Sequence, residues 1–369
     1  MSRWAWAEID PTAITHNVQV LGQLVAPSEV WAVVKADGYG HGAVVAARAA
    51  LAGGATGLCV ALVTEALQLR EAAIDAPLLV LSEQPPGDLA AAIEHDVQLT
   101  LSSVGGIEAL AAAGGSRHPV HLKIDTGMRR VGVQPGDAVA LANAIAASPA
   151  TRLAGVFTHL AVADDPSDPF TNLQLDQFDE VLAELAAAGH HPPLIHAANS
   201  AGALAHPRAR YSLVRAGIAI YGLSPGPGVD HLAHTRPALS LHARVSFVKR
   251  VQAGERIGYG LRHRFTSDTT VATLPIGYAD GVPRRSFAAG VEVLVAGVPR
   301  RIVGVVTMDQ LMVDCGDDPV EVGDPAVLIG SMGDHTISAD DWARRLDTIG
   351  YEIVCGISTR VERRVSPAL

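Results

Sequence analysis

Between residues 30 and 222 the chain alternates two hydrophobic rhythms. Short β-branched apolar runs stand at 30–36, 57–62, 77–81, 97–101, 120–125, 154–160, 193–199 and 213–222. Between them lie Ala- and Leu-rich stretches with apolar residues at helical spacing, at 43–51, 64–72, 89–94, 104–113, 138–146 and 173–187. Strands alternating with helices predict βαβ units and a parallel sheet. Eight strands fit a (β/α)8 TIM barrel better than an open sheet, although the count alone does not close a barrel.

After residue 236 the rhythm changes. Apolar runs at 240–251, 270–276, 291–295, 301–306 and 325–329 predict strands joined by Gly, Pro and Asp turns. One helix reads clearly, at 339–346, with Ser338 as its N-cap. The expected class is therefore α/β: a barrel domain over 9–236, then a mainly β domain over 237–369 with which residues 1–8 pair. The Pro-Gly-rich stretch 218–237 is the natural boundary.

Composition narrows the function classes. The 369 residues carry a formal net charge of −10 and contain no basic run. That argues against nucleic acid or an anionic membrane surface as the main partner. No apolar stretch is long enough to span a bilayer, and Glu8 and Asp10 interrupt any secretory signal, so a cytoplasmic location is expected. Cys59, Cys315 and Cys355 are widely spaced and suggest neither a metal site nor a disulfide framework. Of 28 basic residues only Lys35, Lys123 and Lys249 are lysines, so chemistry that needs a primary amine has three side chains to choose from.

In such a barrel the active site forms at the C-terminal ends of the strands. Several reactive residues fall there: Lys35 after the first run; Lys123, Asp125 and Arg130 after the fifth; His159 after the sixth; Asn199 and Ser200 after the seventh; and Arg215 and Gly217 on the eighth. Each has a plain structural reading, and Lys35 alone reads equally well as a snorkelling strand-end lysine. Their coincidence on one rim favours a site. Ser200 and the N–H groups of Gly217 and Ile218 lie on the loops that commonly bind phosphate in barrels. A phosphate-bearing cofactor joined to a lysine, as in pyridoxal phosphate, and a phosphosugar handled by a catalytic lysine both remain open at this point.

At these residues the chain resembles the alanine racemase family of fold-type III pyridoxal-phosphate enzymes. Eight motifs carry the resemblance in order: AVVKADGYGHG at 32–42, KIDTGMRR at 123–130, FTHLA at 157–161, HAANS at 196–200, VRAGIAIYG at 214–222, GYG at 258–260, IGYADG at 276–281 and TMDQ at 307–310. The resemblance implies a barrel followed by a β domain, and interconversion of L- and D-alanine that supplies D-alanine for peptidoglycan. It implies that Lys35 holds pyridoxal 5′-phosphate as a Schiff base and serves as one base, with Tyr259 as the other. By the same resemblance Tyr39, Ser200, Gly217 and Ile218 bind the phosphate, with Asn199 supporting that loop. Arg215 meets the ring nitrogen and, with His159, assists Tyr259. Arg130 and the Met308 N–H bind the substrate carboxylate, and Tyr278 lines the entrance. Lys123, carbamylated in many relatives, orients Arg130. Tyr259, Tyr278 and Met308 come from the second subunit of a homodimer in this family. No metal is implied.

The sequence departs from the family at two places. Thr359 stands where relatives often carry a phosphate-reaching Tyr, and Arg129 precedes Arg130 at a variable position. Three alternatives keep a related fold: a serine-preferring or broader racemase, a basic amino-acid decarboxylase, and a non-enzymatic pyridoxal-phosphate carrier. The Tyr259 motif disfavours the second, and the extent of the β region disfavours the third.

Overall fold

The computed structural model describes residues 4–229 and 232–366. They divide into two compact units, Thr12–Arg236 and a second unit joining Met1–Pro11 to Pro237–Leu369.

In the first unit the eight strands are Glu29–Val33, Gly57–Val60, Leu78–Val80, Leu99–Leu101, His118–Lys123, Thr151–Phe157, Leu194–His196 and Leu213–Ala216. They pair in parallel as two four-stranded sheets, third-second-first-eighth and fourth-fifth-sixth-seventh. Two seams turn these sheets into a barrel. Between the third and fourth strands, Gln98 N donates to Leu78 O (2.8 Å) and Gln98 O accepts from Val80 N (3.0 Å). Between the seventh and eighth, Ser212 N donates to Ile195 O (3.1 Å) and Arg215 N to Ala198 O (3.0 Å). The apolar runs are continuous because both faces are covered: Gly57–Val60 and Leu78–Val80 are buried at every position.

Several strands are shorter than the apolar runs suggested. The first stops at Val33, so Lys35 begins the turn beyond it rather than ending the strand. The eighth stops at Ala216 and gives way to a 3-10 turn, Ile218–Tyr221. A long helix, Pro11–Val25, precedes the first barrel strand and lay outside the sequence reading. Its signals are present: Pro at the first position, and buried Ala13, Ile14, Asn17, Val18, Leu21 and Val25 on one face.

The second unit is mainly β. Ala5–Ile9 pairs antiparallel with Leu239–Arg244 and parallel with Glu362–Val365. The run at 240–251 is two strands, Leu239–Arg244 and Phe247–Val251, because the chain leaves one sheet for another between them. The strand expected at 301–306 lies earlier, at Val298–Arg301, where it hairpins onto Glu292–Val295. The apolar residues after it, Ile302, Val303, Val305 and Val306, are buried as an irregular segment rather than as a strand. Helix Ala339–Leu346 starts at Ser338, whose Oγ accepts from Asp341 N (3.0 Å) while Asp341 Oδ2 accepts from Ser338 N (2.7 Å), a reciprocal capping box.

Candidate active site

Beyond Val34 the backbone enters the left-handed region and stays there. Ala36, Asp37, Gly38, Tyr39 and Gly40 have φ of 52°, 52°, 60°, 53° and 80°. Left-handed residues other than glycine each cost roughly 1–2 kcal/mol, so the turn needs external support. Glu65 supplies part of it. Its carboxylate accepts from Ala36 N (2.7 Å), Ala61 N (2.8 Å) and Leu62 N (3.1 Å), tying the loop after the first strand to the loop after the second. Asp37 Oδ1 accepts from Ala43 N (2.8 Å) and so starts the following helix, Ala43–Ala52. The half-buried Lys35 therefore sits at the head of a stiffened loop.

The turn delivers the Tyr39 ring to the eighth strand's end. Its hydroxyl lies 2.7 Å from where a Cβ on Gly217 would stand, so a side chain there would have to push the Tyr39 ring aside. Ser200 Oγ accepts from Gly217 N (2.9 Å) and Ala219 N (3.3 Å). Asn199 caps the short helix Ser200–Ala205 through Gly202 N (2.9 Å), which fixes the Ser200 backbone. Two hydroxyls, a glycine without room for a side chain, and the first N–H groups of a 3-10 turn make a cradle suited to a phosphate. An oxygen, that of Ser200, already sits on two of its N–H groups.

Arg215 is buried at the centre of the rim. Nη2 donates to Thr158 O (2.8 Å) and Ala197 O (3.0 Å) and lies 3.3 Å from His159 Nδ1; Nη1 lies 2.7 Å from His196 Nδ1. The guanidinium lies against the Phe157 ring, 5.1 Å from its centroid. Burial pulls its pKa down to about 10, which leaves it charged at neutral pH. Burial, then Arg215, Arg130, Lys123 and Lys35, hold His159 well below the usual imidazole range, so it is neutral.

Lys123 is buried, donates to Leu81 O (3.3 Å) and stands 5.2 Å from the Phe157 centroid. Burial, followed by the charges of Arg215, Arg130 and Lys35, lowers its pKa to about 8, against the pull of Asp125. Asp125 spends Oδ1 on the backbone, accepting from Gly127 N (2.9 Å) and Arg129 N (3.0 Å), and so shapes the loop that carries Arg130. Arg129 is exposed and donates to Gln134 (3.1 Å), and it is not among the charges that shift Lys123.

Tyr259, Tyr278 and Met308 lie on the second unit. Tyr259 is at the tip of the hairpin Arg256–Ile257/His263–Arg264, held out by left-handed Gly258 and Gly260, and the residue is 72% exposed. Tyr278 and Met308 are also exposed, on two loops zipped together by Tyr278 N to Thr307 O (2.9 Å) and Ala279 N to Met308 O (3.0 Å). Gly277 permits that approach, since a Cβ there would stand 2.3 Å from Thr307 O. Arg360, next to Thr359, clasps both loops: Nη2 lies 2.6 Å from Asp309 and Nε 3.4 Å from the buried Asp280.

Glu65, His121, His196 and Gln98 were missed as site-supporting residues. Glu65 had a visible signal, a carboxylate three residues into a helix beside a strand end. The other three act across strands, and their partners are distant in sequence.

Comparison with known proteins shows the family of the chain. The chain matches the family model for the alanine racemase N-terminal domain over residues 9–225 and that for the C-terminal domain over 238–365. It is 49% identical over 370 residues to alanine racemase of Thermobifida fusca, covering 98% of each chain. It is 47% identical over 365 residues to that of Symbiobacterium thermophilum, covering 98% of this chain and 97% of the relative. The crystal structure of alanine racemase from Bacillus anthracis with bound L-Ala-P superposes with a TM-score of 0.94 at 40% identity, covering 100% of this chain and 96% of that one.

Proposed function

The chain belongs to the alanine racemase family, and from that membership we infer that Lys35 and Tyr259 are the two groups that move the α-proton of alanine. The enzyme interconverts L- and D-alanine and uses pyridoxal phosphate. The observation that carries the site reading is the Tyr39–Gly217–Ser200 cradle on the same rim as Lys35 and Arg215. The cradle residues fit the cofactor's phosphate, and a primary amine for its aldehyde and a buried cation for its ring stand on the same rim.

When bound, the cofactor supplies an electron sink for the pair left on the α-carbon. The protein supplies the rest. Tyr39, Ser200, Gly217 and Ile218 would hold the phosphate, with Asn199 fixing the Ser200 backbone. Arg215 would face the ring nitrogen. A guanidinium donates but does not act as an acid at neutral pH, so Arg215 would offer this nitrogen a hydrogen bond rather than a proton. Arg130 and the Met308 N–H would orient the substrate carboxylate, and Tyr278 would line the entrance. Lys35 Nζ takes or returns the proton on the D-alanine face, and Tyr259 Oη does so on the L-alanine face. A phenol is a weak base near pH 7, so Tyr259 needs the cationic and hydrogen-bonding surroundings of Arg215 and His159. Tyr259, Tyr278 and Met308 reach the rim from a second copy of the chain, which makes the working enzyme a homodimer. Lys123, with a pKa near 8, is partly neutral at physiological pH, and only a neutral amine captures carbon dioxide. Its carbamate would present an anion to Arg130. A cytoplasmic location fits these substrates; no helix among the described residues is long and apolar enough to cross a membrane.

Borohydride reduction of the yellow holoenzyme, followed by peptide mapping, should place the cofactor on Lys35. An adduct on Lys123 would overturn the assignment. A panel of amino acids assayed for racemisation should show alanine turned over fastest; equal or faster turnover of serine would move the reading to the broader racemase.

A further inference from the structure

Behind Arg215 four side chains form an unbroken line through the barrel. Arg215 Nη1 meets His196 Nδ1 at 2.7 Å, His196 Nε2 meets His121 Nδ1 at 2.9 Å, and His121 Nε2 meets Gln98 Oε1 at 2.8 Å. Both histidines are fully buried. A guanidinium only donates, so the arginine end sets the direction. His196 Nδ1 must carry a lone pair, which puts its proton on Nε2. That proton points at His121 Nδ1, which must also accept, so the His121 proton sits on Nε2 as well. The last proton needs an acceptor, and Gln98 provides it with its carbonyl; the amide turned over would present an NH2 group to an N–H. A second proton on either ring would set two donors face to face within 3 Å. Burial and the nearby Arg215 charge oppose it too, taking His121 down to about 3 and His196 well below its usual range.

We propose that Gln98 is a positioning residue for racemisation: by accepting the last proton of this line it locks His121 and His196 in their Nε2–H forms and commits Arg215 Nη1 to His196. The proposal rests on Arg215 being the group that faces the cofactor ring. Gln98 suits the task because its backbone bonds to both Leu78 and Val80 across the third-fourth seam, so the acceptor is anchored to the barrel wall. Every hydrogen bond in the line runs outward from Arg215. The line therefore brings no proton toward the ring from behind, and it holds the guanidinium against rotation.

The direct test is the 15N spectrum of histidine-labelled holoenzyme, with the two rings assigned through His121→Asn and His196→Asn. Both should be neutral with the proton on Nε2 between about pH 6 and 8. A proton on Nδ1 of either ring, or a doubly protonated ring, would overturn the proposal. Gln98→Leu leaves the His121 Nε2 proton buried without an acceptor, so the ring should turn or shift its proton and release the line, lowering kcat about five- to tenfold with KM unchanged. Gln98→Glu keeps an acceptor and should retain both tautomers, with kcat within about twofold of the parent. A Leu variant with parental tautomers and parental kcat would refute the role. If that variant does not fold, the labelled parent enzyme decides. Absence of a borohydride adduct on Lys35 would instead refute the site reading and leave the tautomers as they are.

Discussion

Lys123 shows how one buried side chain turns into a measurable property. Its pKa of about 8 in the folded chain compares with an ordinary 10.5. Between those values the unfolded chain holds a proton that the folded chain does not, so stability rises with pH across that window; below about pH 8 the penalty is at its full size. Lys123→Met removes the penalty. In buffer free of carbon dioxide, the stability advantage of that variant should shrink by about 2 kcal/mol between pH 7.5 and 9.5. A pH-independent difference in denaturant titrations would show that the amine is not so disfavoured. Gly217→Ala is a steric counterpart. Its φ of −103° is ordinary but its ψ of −103° lies outside the regions open to a side chain, so a Cβ there adds backbone strain to the push on the Tyr39 hydroxyl. Cofactor affinity should fall at least about tenfold, and the cofactor-free protein should also melt lower, by an overpacking cost of about 1–3 kcal/mol. Unchanged affinity would remove Tyr39 and Gly217 from the cradle. At this scale the reading from sequence went far: Lys35, Arg215, Ser200 and Gly217 stand on one rim because each lies in or just after a buried apolar run. Gln98 and His121 were illegible because their partners lie 23 and 75 residues away along the chain.

Among elements, the barrel strands were legible because both faces of each are buried, which writes a continuous apolar run. Their ends were not, since the chain stays apolar into the turns that follow. The second unit's strands were harder: Arg256–Ile257, His263–Arg264 and His335–Ile337 are too short to show alternation, and their pairing depends on distant segments. The left-handed turn Ala36–Gly40 left no hydrophobic signature at all. It depends on Glu65, whose one carboxylate gathers three backbone N–H groups from two loops. Glu65→Ala should cost about 2 kcal/mol in denaturant titrations and weaken cofactor retention, whereas Glu65→Gln, which keeps an acceptor, should lose less. Equal losses in both variants would show that the charge, not the hydrogen bonds, supports the turn.

For the whole molecule, the proposed sharing of sites between two copies has a quantitative consequence. Lys35→Ala and Tyr259→Ala are each expected to be nearly inactive. Co-expressed in equal amounts, half of the dimers are mixed, and each mixed dimer has one intact site, so activity should return to about a quarter of the parent value. No recovery on verified mixing would mean that both residues act from one copy. The exposed Tyr259 ring at its hairpin tip motivates the experiment.

The pairing of Ala5–Ile9 also bears on how the chain is made. This segment leaves the ribosome well before its strand partners, Leu239–Arg244 and Glu362–Val365, which are translated much later in the chain. At about 5–20 residues per second the first partner emerges on the order of ten to fifty seconds later and the second later still. Once residue 236 has emerged Thr12–Arg236 can complete its own hydrogen-bonded ring, while the strand Ala5–Ile9 keeps an open edge until Glu362–Val365 follows. Such an edge invites pairing with other nascent chains. The interval before residue 365 is translated is thus when this protein is most in need of a chaperone, and slowing elongation beyond residue 236 should raise its aggregation more than slowing it earlier.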